Sequence, residues 1–312
     1  MIPLRRFPRR TFDEATLAER TATVAAVLVA RDEEPTIAEA LSRLRPLRER
    51  GLLDRLIVAD GGSSDDTRQR AVDAGAEVID VGEVLVDQVG PLLGKGDSIW
   101  RTIVSVDADI LAFLDADLIG TYDEYVIGLL GPLLTDPTVR FVKGGFRRTR
   151  PNEDQPRHLD GGRVTEMVAR PALNLLRPDL AEFYQPLGGQ VAGRHSDLAS
   201  LPIATGYAVE IQMLAKVMAR FGREGVVESD LGSVVNRERT VEALVPMAQE
   251  VLFGLLHELG EVGDWEPYVR PLPGGGTSPP ASHQVVIRPP AAEVRQPSST
   301  AADSRRSDIG SS

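Results

Sequence analysis

Three features of the sequence predict an α/β fold with a mainly parallel central sheet and helices on both faces. Thr23–Ala30 (TVAAVLVA) is a continuous apolar run, as a strand buried on both faces requires. Strand-like and helix-like segments then alternate through the first half of the chain, the pattern of parallel strands joined by crossover helices. Three polar clusters fall where the strands end, the side on which ligands bind in such sheets.

Residues 1–22 are polar and uneven, and read as an N-terminal arm or short helix. After the first strand, Arg31 to Pro35 breaks the apolar run, and Thr36 to Arg50 has helical spacing at Ile37, Leu41, Leu44 and Leu47. Pro46 is expected to kink or shorten that helix, and Gly51 to stop it. Leu56–Ala59 reads as a second strand, Arg68–Ala74 as a helix and Glu77–Val81 as a third strand. A helix over Ser98–Ser105 leads to a fourth strand, Ile110–Leu114, which runs into Asp115-Ala116-Asp117. A domain over 23–236 is expected, then a helical extension over 237–269. Beyond residue 270 the composition turns to Pro, Gly, Ser and Thr, and 270–312 is expected to be a disordered tail.

Composition narrows the chemistry. The 312 residues are 42% hydrophobic and 26% charged, enough for a sizeable packed core. There is no cysteine, which excludes disulfides, thiolate metal sites and a cysteine nucleophile. A net charge of −11 argues against nucleic-acid binding. No apolar run approaches the ~20 residues of a membrane span, nor is there a secretory segment, so a cytoplasmic protein is expected.

Alternate residues of a strand face the same way, so Asp115 and Asp117 suit one cation. Mg²⁺ or Mn²⁺ prefers such oxygen ligands and bridges carboxylates to substrate phosphates. Asp60-Gly61-Gly62-Ser63-Ser64-Asp65-Asp66-Thr67 offers tight turns and helix caps, and Asp60 is placed to accept from a nucleotide base or ribose. Gly94-Lys95-Gly96 precedes a helix expected near Asp97, a setting for phosphate contact without the P-loop spacing. Gly161-Gly162-Arg163-Val164-Thr165-Glu166 combines helix-start amides with a guanidinium and a hydroxyl, an anion site in outline. Lys143, Arg147, Arg148 and Arg150 add positive charge upstream, pointing to an acidic acceptor. Glu210 lies in the first turn of a helix whose apolar face carries Val209, Met213, Leu214 and Val217. Arg237 and Arg239 follow a strand-like Gly225–Val227 as phosphate-contact or surface residues. The four histidines show no metal-ligand spacing.

These segments resemble the GT-A glycosyltransferases, and within them the actinobacterial glucosyl-3-phosphoglycerate synthases. The likeness covers roughly residues 20–260 and is carried by ARDEEPTI (30–37), DGGSSDDT (60–67), GKGDSIWR (94–101), FLDADLI (113–119), GPLLTDP (131–137), FVKGGFRR (141–148), GGRVTEMVARP (161–171), QPLGG (185–189) and GYAVEI (206–211). It implies UDP-glucose as donor, 3-phosphoglycerate as acceptor, retention of configuration and a homodimer. The resemblance puts Ala30, Glu33, Lys95, Asp115 and Asp117 around the donor and metal, and Arg31, Asp60, Gly61, Ala116 and Arg237 are expected beside the donor as well. Gly162, Arg163, Val164 and Thr165 would hold the acceptor, and Glu210 would orient sugar or acceptor hydroxyls. Asp117, Glu210 and Lys95 are the expected catalytic residues.

The chain also departs from the family. A family histidine on the metal, and the arginine two residues before it, are replaced by Asn236 and Val234. Gly61 replaces a serine near the nucleotide, and Val29 and Arg31 replace a proline and a leucine beside the donor. Asn236 retains an amide oxygen that can ligate Mg²⁺. A sugar-1-phosphate nucleotidyltransferase is a competing class, but it needs a Gly-rich loop after the first strand and Ala30–Pro35 has no glycine. An inactive sugar-nucleotide-binding module is the third reading, and a related transferase with another nucleotide sugar and anionic acceptor the nearest alternative.

Overall fold

The structure, a computed structural model, describes residues 2–149, 162–236, 240–278 and 284–294. Strands β1 (Arg6–Phe7), β2 (Val24–Ala30), β3 (Arg55–Asp60), β4 (Glu77–Asp80), β5 (Ile110–Asp115), β6 (Leu118–Ile119), β7 (Phe141–Thr149), β8 (Val191–Arg194) and β10 (Val226–Asn236) form one nine-stranded sheet. Strands β9 (Ile203–Ala204) and β11 (Ile287–Arg288) make a second, two-stranded sheet. Helices α1 (Glu14–Ala18), α2 (Ile37–Glu49), α3 (Thr67–Asp73), α4 (Val86–Val89) and α5 (Gly94–Ser105) connect the first half. Then follow α6 (Tyr122–Thr135), α7 (Arg170–Leu176), α8 (Pro178–Ala181), α9 (His195–Ala199), α10 (Val209–Gly225) and α11 (Val241–Glu258).

The order of the large sheet is β1-β10-β7-β8-β5-β2-β3-β4, with β6 paired to β10. Neighbours in β5-β2-β3-β4 are parallel, as the alternating pattern predicts. Two strands run the other way: β8 lies antiparallel between β5 and β7, and β6 pairs antiparallel with β10. The apolar run of β2 divides between two cores. Ala25 and Val27 enter one, and Val24, Ala26 and Leu28 enter the other on the opposite face. That two-sided burial explains why the strand has no polar alternation.

Some expectations need correction. The N-terminal arm does form a short helix, but it also supplies β1, which adds to the sheet edge beside Glu228 and Ser229. Helix α2 runs through Pro46 to Glu49 and is not shortened. Helix α5 begins at Gly94, earlier than the Asp97 expected from the sequence, so Lys95 is in its first turn. Within the expected C-terminal extension, α11 covers Val241–Glu258. The tail is not disordered throughout: residues 284–294 pack on the domain, with Val285, Arg288 and Ala291 buried and β11 paired to β9. Composition misled because it averages over the tail, whereas a few apolar residues and one arginine suffice to anchor a segment.

Candidate functional site

The strand register brings the polar clusters together. Ala30 lies opposite Asp60 on one side of β2, and Val29 opposite Asp115 on the other. The carboxyl ends of three adjacent strands therefore open on one crevice.

Lys95 is the centre of that crevice. Its ammonium contacts Asp115 Oδ1 and lies 2.6 Å from Glu210 Oε1. Burial alone would lower its pKa, but the two carboxylates outweigh burial and hold the ammonium above the ordinary lysine value. Burial likewise raises Asp115, yet the charge and hydrogen bond of Lys95, with help from Gln190 and Arg148, keep its carboxyl below the usual range. The contact of Lys95 with Glu210 depends on a close approach of backbone. A Cβ on Gly96 would lie 2.0 Å from Ala204 O, so only glycine lets the start of α5 pack against the segment leading to Glu210.

On the opposite side of Asp115 the wall is made by Gly189 and Gln190, just before β8. Gln190 Nε2 donates to Asp115 Oδ2 at 3.0 Å, and a Cβ on Gly189 would fall 2.2 Å from Asp115 Oδ1. Buried Lys143 of β7 donates to Gly188 O, and burial brings its pKa down to about 8 against the opposing pull of Glu210. In the sequence QPLGG stands only as a family anchor, and Lys143 only within the FVKGGFRR anchor and its basic cluster. No local pattern reveals their place, because β8 reaches β5 by a long-range antiparallel insertion.

Arg148 links the Asp115-Asp117 turn to the anion-site segment. Burial lowers its pKa, and the charges of Asp115 and Asp117 act against that shift. Its Nε is buried without a hydrogen-bond partner among the described residues. Its guanidinium carbon is 3.5 Å from where a Cβ of Gly162 would stand. Arg163 and Val164 open the helix that follows, and buried Thr165 starts a π-helical turn, Thr165–Ala169. Such turns recur at functional sites.

Other predicted residues are placed as follows. Asp60 is fully buried and its carboxylate is occupied by its own loop: it accepts from Gly62 N, Ser63 N and Ser63 Oγ, and pairs with Arg68. It thus shapes the Asp60–Thr67 loop directly, and any contact with a nucleotide would have to compete with those partners. Gly61 donates its amide to Ala30 O at 2.8 Å. Glu33 accepts from Thr36 Oγ1, and Arg31 is exposed beside Asp32. Ala116 is buried in the turn. Asn236 ends β10 with its backbone paired to Leu118, one residue beyond Asp117. Arg237, Arg239, Arg150 and Gly161 lie outside the described residues.

Asp115 and Asp117 carry carboxylate oxygens, the donor type that suits a hard divalent cation. No group of three or more His, Asp or Glu residues is gathered for a metal among the described residues.

Glu250 of α11 supports the approach to Glu210. It is buried and accepts from Tyr207 N at 2.6 Å. Burial, with a smaller push from Glu210, raises its pKa to about 7 from an ordinary 4.5, although the Tyr207 amide opposes the shift. A raised folded pKa favours the folded state at low pH, and that contribution is lost as pH climbs from the unfolded value through about 7. Glu250→Gln keeps an acceptor for Tyr207 and removes the titration. Its Tm should therefore rise relative to wild type between about pH 5 and about pH 8. Parallel Tm–pH curves for the two proteins would rule this out.

Residues 25–193 match the model for glycosyl transferase family 2. Over 253 residues the chain is 42% identical to glucosyl-3-phosphoglycerate synthase of Mycolicibacterium smegmatis, covering 81% of this chain and 83% of that one. The protein of that name from Petrotoga mobilis is 34% identical over 234 residues, covering 74% of this chain and 72% of its own. The crystal structure of glucosyl-3-phosphoglycerate synthase from Mycobacterium tuberculosis with Mn²⁺, UDP-glucose and phosphoglyceric acid matches with a TM-score of 0.81 at 36% identity. That match covers 95% of this chain and 100% of the other.

Proposed function

The chain belongs to glycosyl transferase family 2, and on that premise we propose that it transfers glucose from UDP-glucose to 3-phosphoglycerate with a divalent cation. The observation that carries the reading is the joining of the Asp115–Lys95–Glu210 ion pairs to the Gly162 segment through Arg148. A cationic bridge between a diphosphate site and an anion site is what a phosphorylated acceptor beside a nucleotide sugar requires. The nucleotidyltransferase reading is set aside by the family match.

Asp115 and Asp117, with Asn236 beside them, would hold Mg²⁺ or Mn²⁺. Bound there, the ion supplies Lewis-acid neutralisation of the diphosphate as it leaves. Lys95 shares that phosphate charge from a fixed position, since two carboxylates hold it. Arg163, Thr165 and nearby amides would anchor the acceptor's phosphate and carboxylate. In the step itself the bond from the anomeric carbon to the phosphate oxygen breaks and the acceptor hydroxyl bonds to that carbon. Its proton passes to the departing phosphate, so attack and departure share one face and configuration is retained. Glu210, tied up by Lys95, is suited to orienting hydroxyls and not to forming a covalent intermediate. Positioning and charge stabilisation supply the rate.

The test is a matrix of UDP- and GDP-sugars against 3-phosphoglycerate and related phosphorylated acids, with Mg²⁺, Mn²⁺ or EDTA. A metal-dependent glucosylated phosphoglycerate is expected from UDP-glucose. Product from another pair alone would move the chain to a different donor or acceptor, and no product with any pair would favour a binding module.

No helix of the described residues is long and apolar enough to cross a membrane. A cytoplasmic setting fits the proposed substrates. A homodimer fits one surface feature: Met167, Leu175 and Leu176, around α7, are 75%, 83% and 44% exposed. Light scattering after size exclusion should give twice the chain mass, and Leu175→Glu should return it to the monomer. A monomeric wild type would remove the assignment.

A further inference from the structure

Asp97, Trp100 and Arg101 belong to the GKGDSIWR segment, yet none of them is used by the proposed reaction. All three are buried, Asp97 and Arg101 without exposed surface. Asp97 sits two residues after Lys95 on α5, so the two side chains leave the helix on different sides. The partner of Asp97 comes from the far end of the chain. Arg288 donates to Asp97 Oδ1 at 2.8 Å and Oδ2 at 2.9 Å, and its third nitrogen reaches Val89 O. Trp100 Nε1 donates to Pro289 O at 2.7 Å.

The same short segment also grips the other wall of the crevice. Thr205 N donates to Val286 O and Val286 N to Thr205 Oγ1, while Ile287 pairs with Ala204. Thr205 leads through Gly206–Ala208 into α10, which bears Glu210. Residues 285–289 are therefore fastened behind the two elements whose front faces carry the Lys95–Glu210 ion pair.

We propose that residues 284–294 form a strap that sets the separation of Lys95 and Glu210, with Arg288 as a positioning residue acting through Asp97. The inference rests on the reading of Lys95 and Glu210 as donor-site residues. Arg101 also faces Asp97, but more distantly, at 3.2 Å, while it donates to the carbonyls of Val81, Gly82, Val84 and Gly90. Without Arg288 the Asp97 carboxylate keeps Arg101 and Leu93 N as partners. The fold should survive, and what is lost is the bidentate tie that fixes the start of α5.

Arg288→Ala is compared with Arg288→Lys and with Leu41→Ala, a cavity variant in the core of the other sheet face. Arg288→Ala should lower kcat by about 10-fold or more while Leu41→Ala, though destabilised, keeps kcat near wild type. Arg288→Lys should recover part of the loss. Amide hydrogen exchange on the substrate-free protein should accelerate by about 10-fold at Leu93, Thr205 and Gly206 in Arg288→Ala only. Unchanged exchange there, or the same kcat in Arg288→Ala and Leu41→Ala, would overturn the strap. The exchange readout needs no substrate, so it still decides the question should the proposed reaction prove wrong.

Discussion

Asp117→Ala is expected to lower kcat by roughly 10³-fold, the scale of losing a main electrostatic contact to the charge that develops in the transition state. The two carboxylates of the motif are not equivalent. Asp115 is already engaged by Lys95 and Gln190 and forms part of the packed wall with Gly189. Asp117 stands in the turn after β5, half-buried, where its charge acts on Arg148. It closes no strand pairing among the described residues, and its loss should leave Tm within a few degrees of wild type. Removing it costs the proposed cation one of its anionic ligands and takes one of the two charges, Asp115 and Asp117, that act on Arg148. The Mn²⁺ concentration for half-maximal rate should rise in the same variant, and Asp117→Asn should fall between the two, since an amide oxygen still ligates weakly. Turnover by Asp117→Ala within about threefold of wild type, at the same Mn²⁺ requirement, would show that the motif holds no catalytic metal.

How much of this site could be read beforehand depended on sequence distance. The crevice follows from strand ends that are near each other in the chain pattern: Ala30, Asp60 and Asp115 each terminate a recognisable apolar strand, and parallel pairing puts them side by side. Lys95 was legible as a cation near phosphate, though not as the bridge between Asp115 and Glu210, which needs α10 to pack on α5. What the sequence concealed was carried by contacts across the fold. Gln190 and Gly189 reach Asp115 only because β8 inserts antiparallel between β5 and β7, against the parallel expectation. Lys143 reads in the sequence as one of a basic cluster pointing to an acidic acceptor, whereas on β7 it is buried and donates to Gly188 O. Arg288 lies in a stretch whose Pro and Gly content signals disorder, and a buried partner 191 residues away overrides that signal.

Gly189→Ala tests the wall behind Asp115 and should cost activity on the order of 10²-fold, the loss expected when a reacting group is displaced by about 1 Å. Gly189 does not occupy the left-handed region, so alanine meets no backbone strain there. The methyl group meets Asp115 itself: its place is 2.2 Å from Oδ1 and 2.6 Å from Oδ2. Neither neighbour yields easily. Gly188 O is held by buried Lys143, and Gly144 N donates to Gln190 O at 2.9 Å, which ties the loop to β7. The Asp115 carboxylate must therefore turn away, giving up Gln190 and loosening Lys95, which then leans toward Glu210. Two measurements separate this from general damage. A crystal structure should show the Asp115 side chain rotated with β8 in place, and Tm should fall far less than activity. Wild-type kcat in Gly189→Ala would mean that Asp115 can leave its Lys95 and Gln190 partners without penalty, and the pre-set carboxylate would then have no part in catalysis.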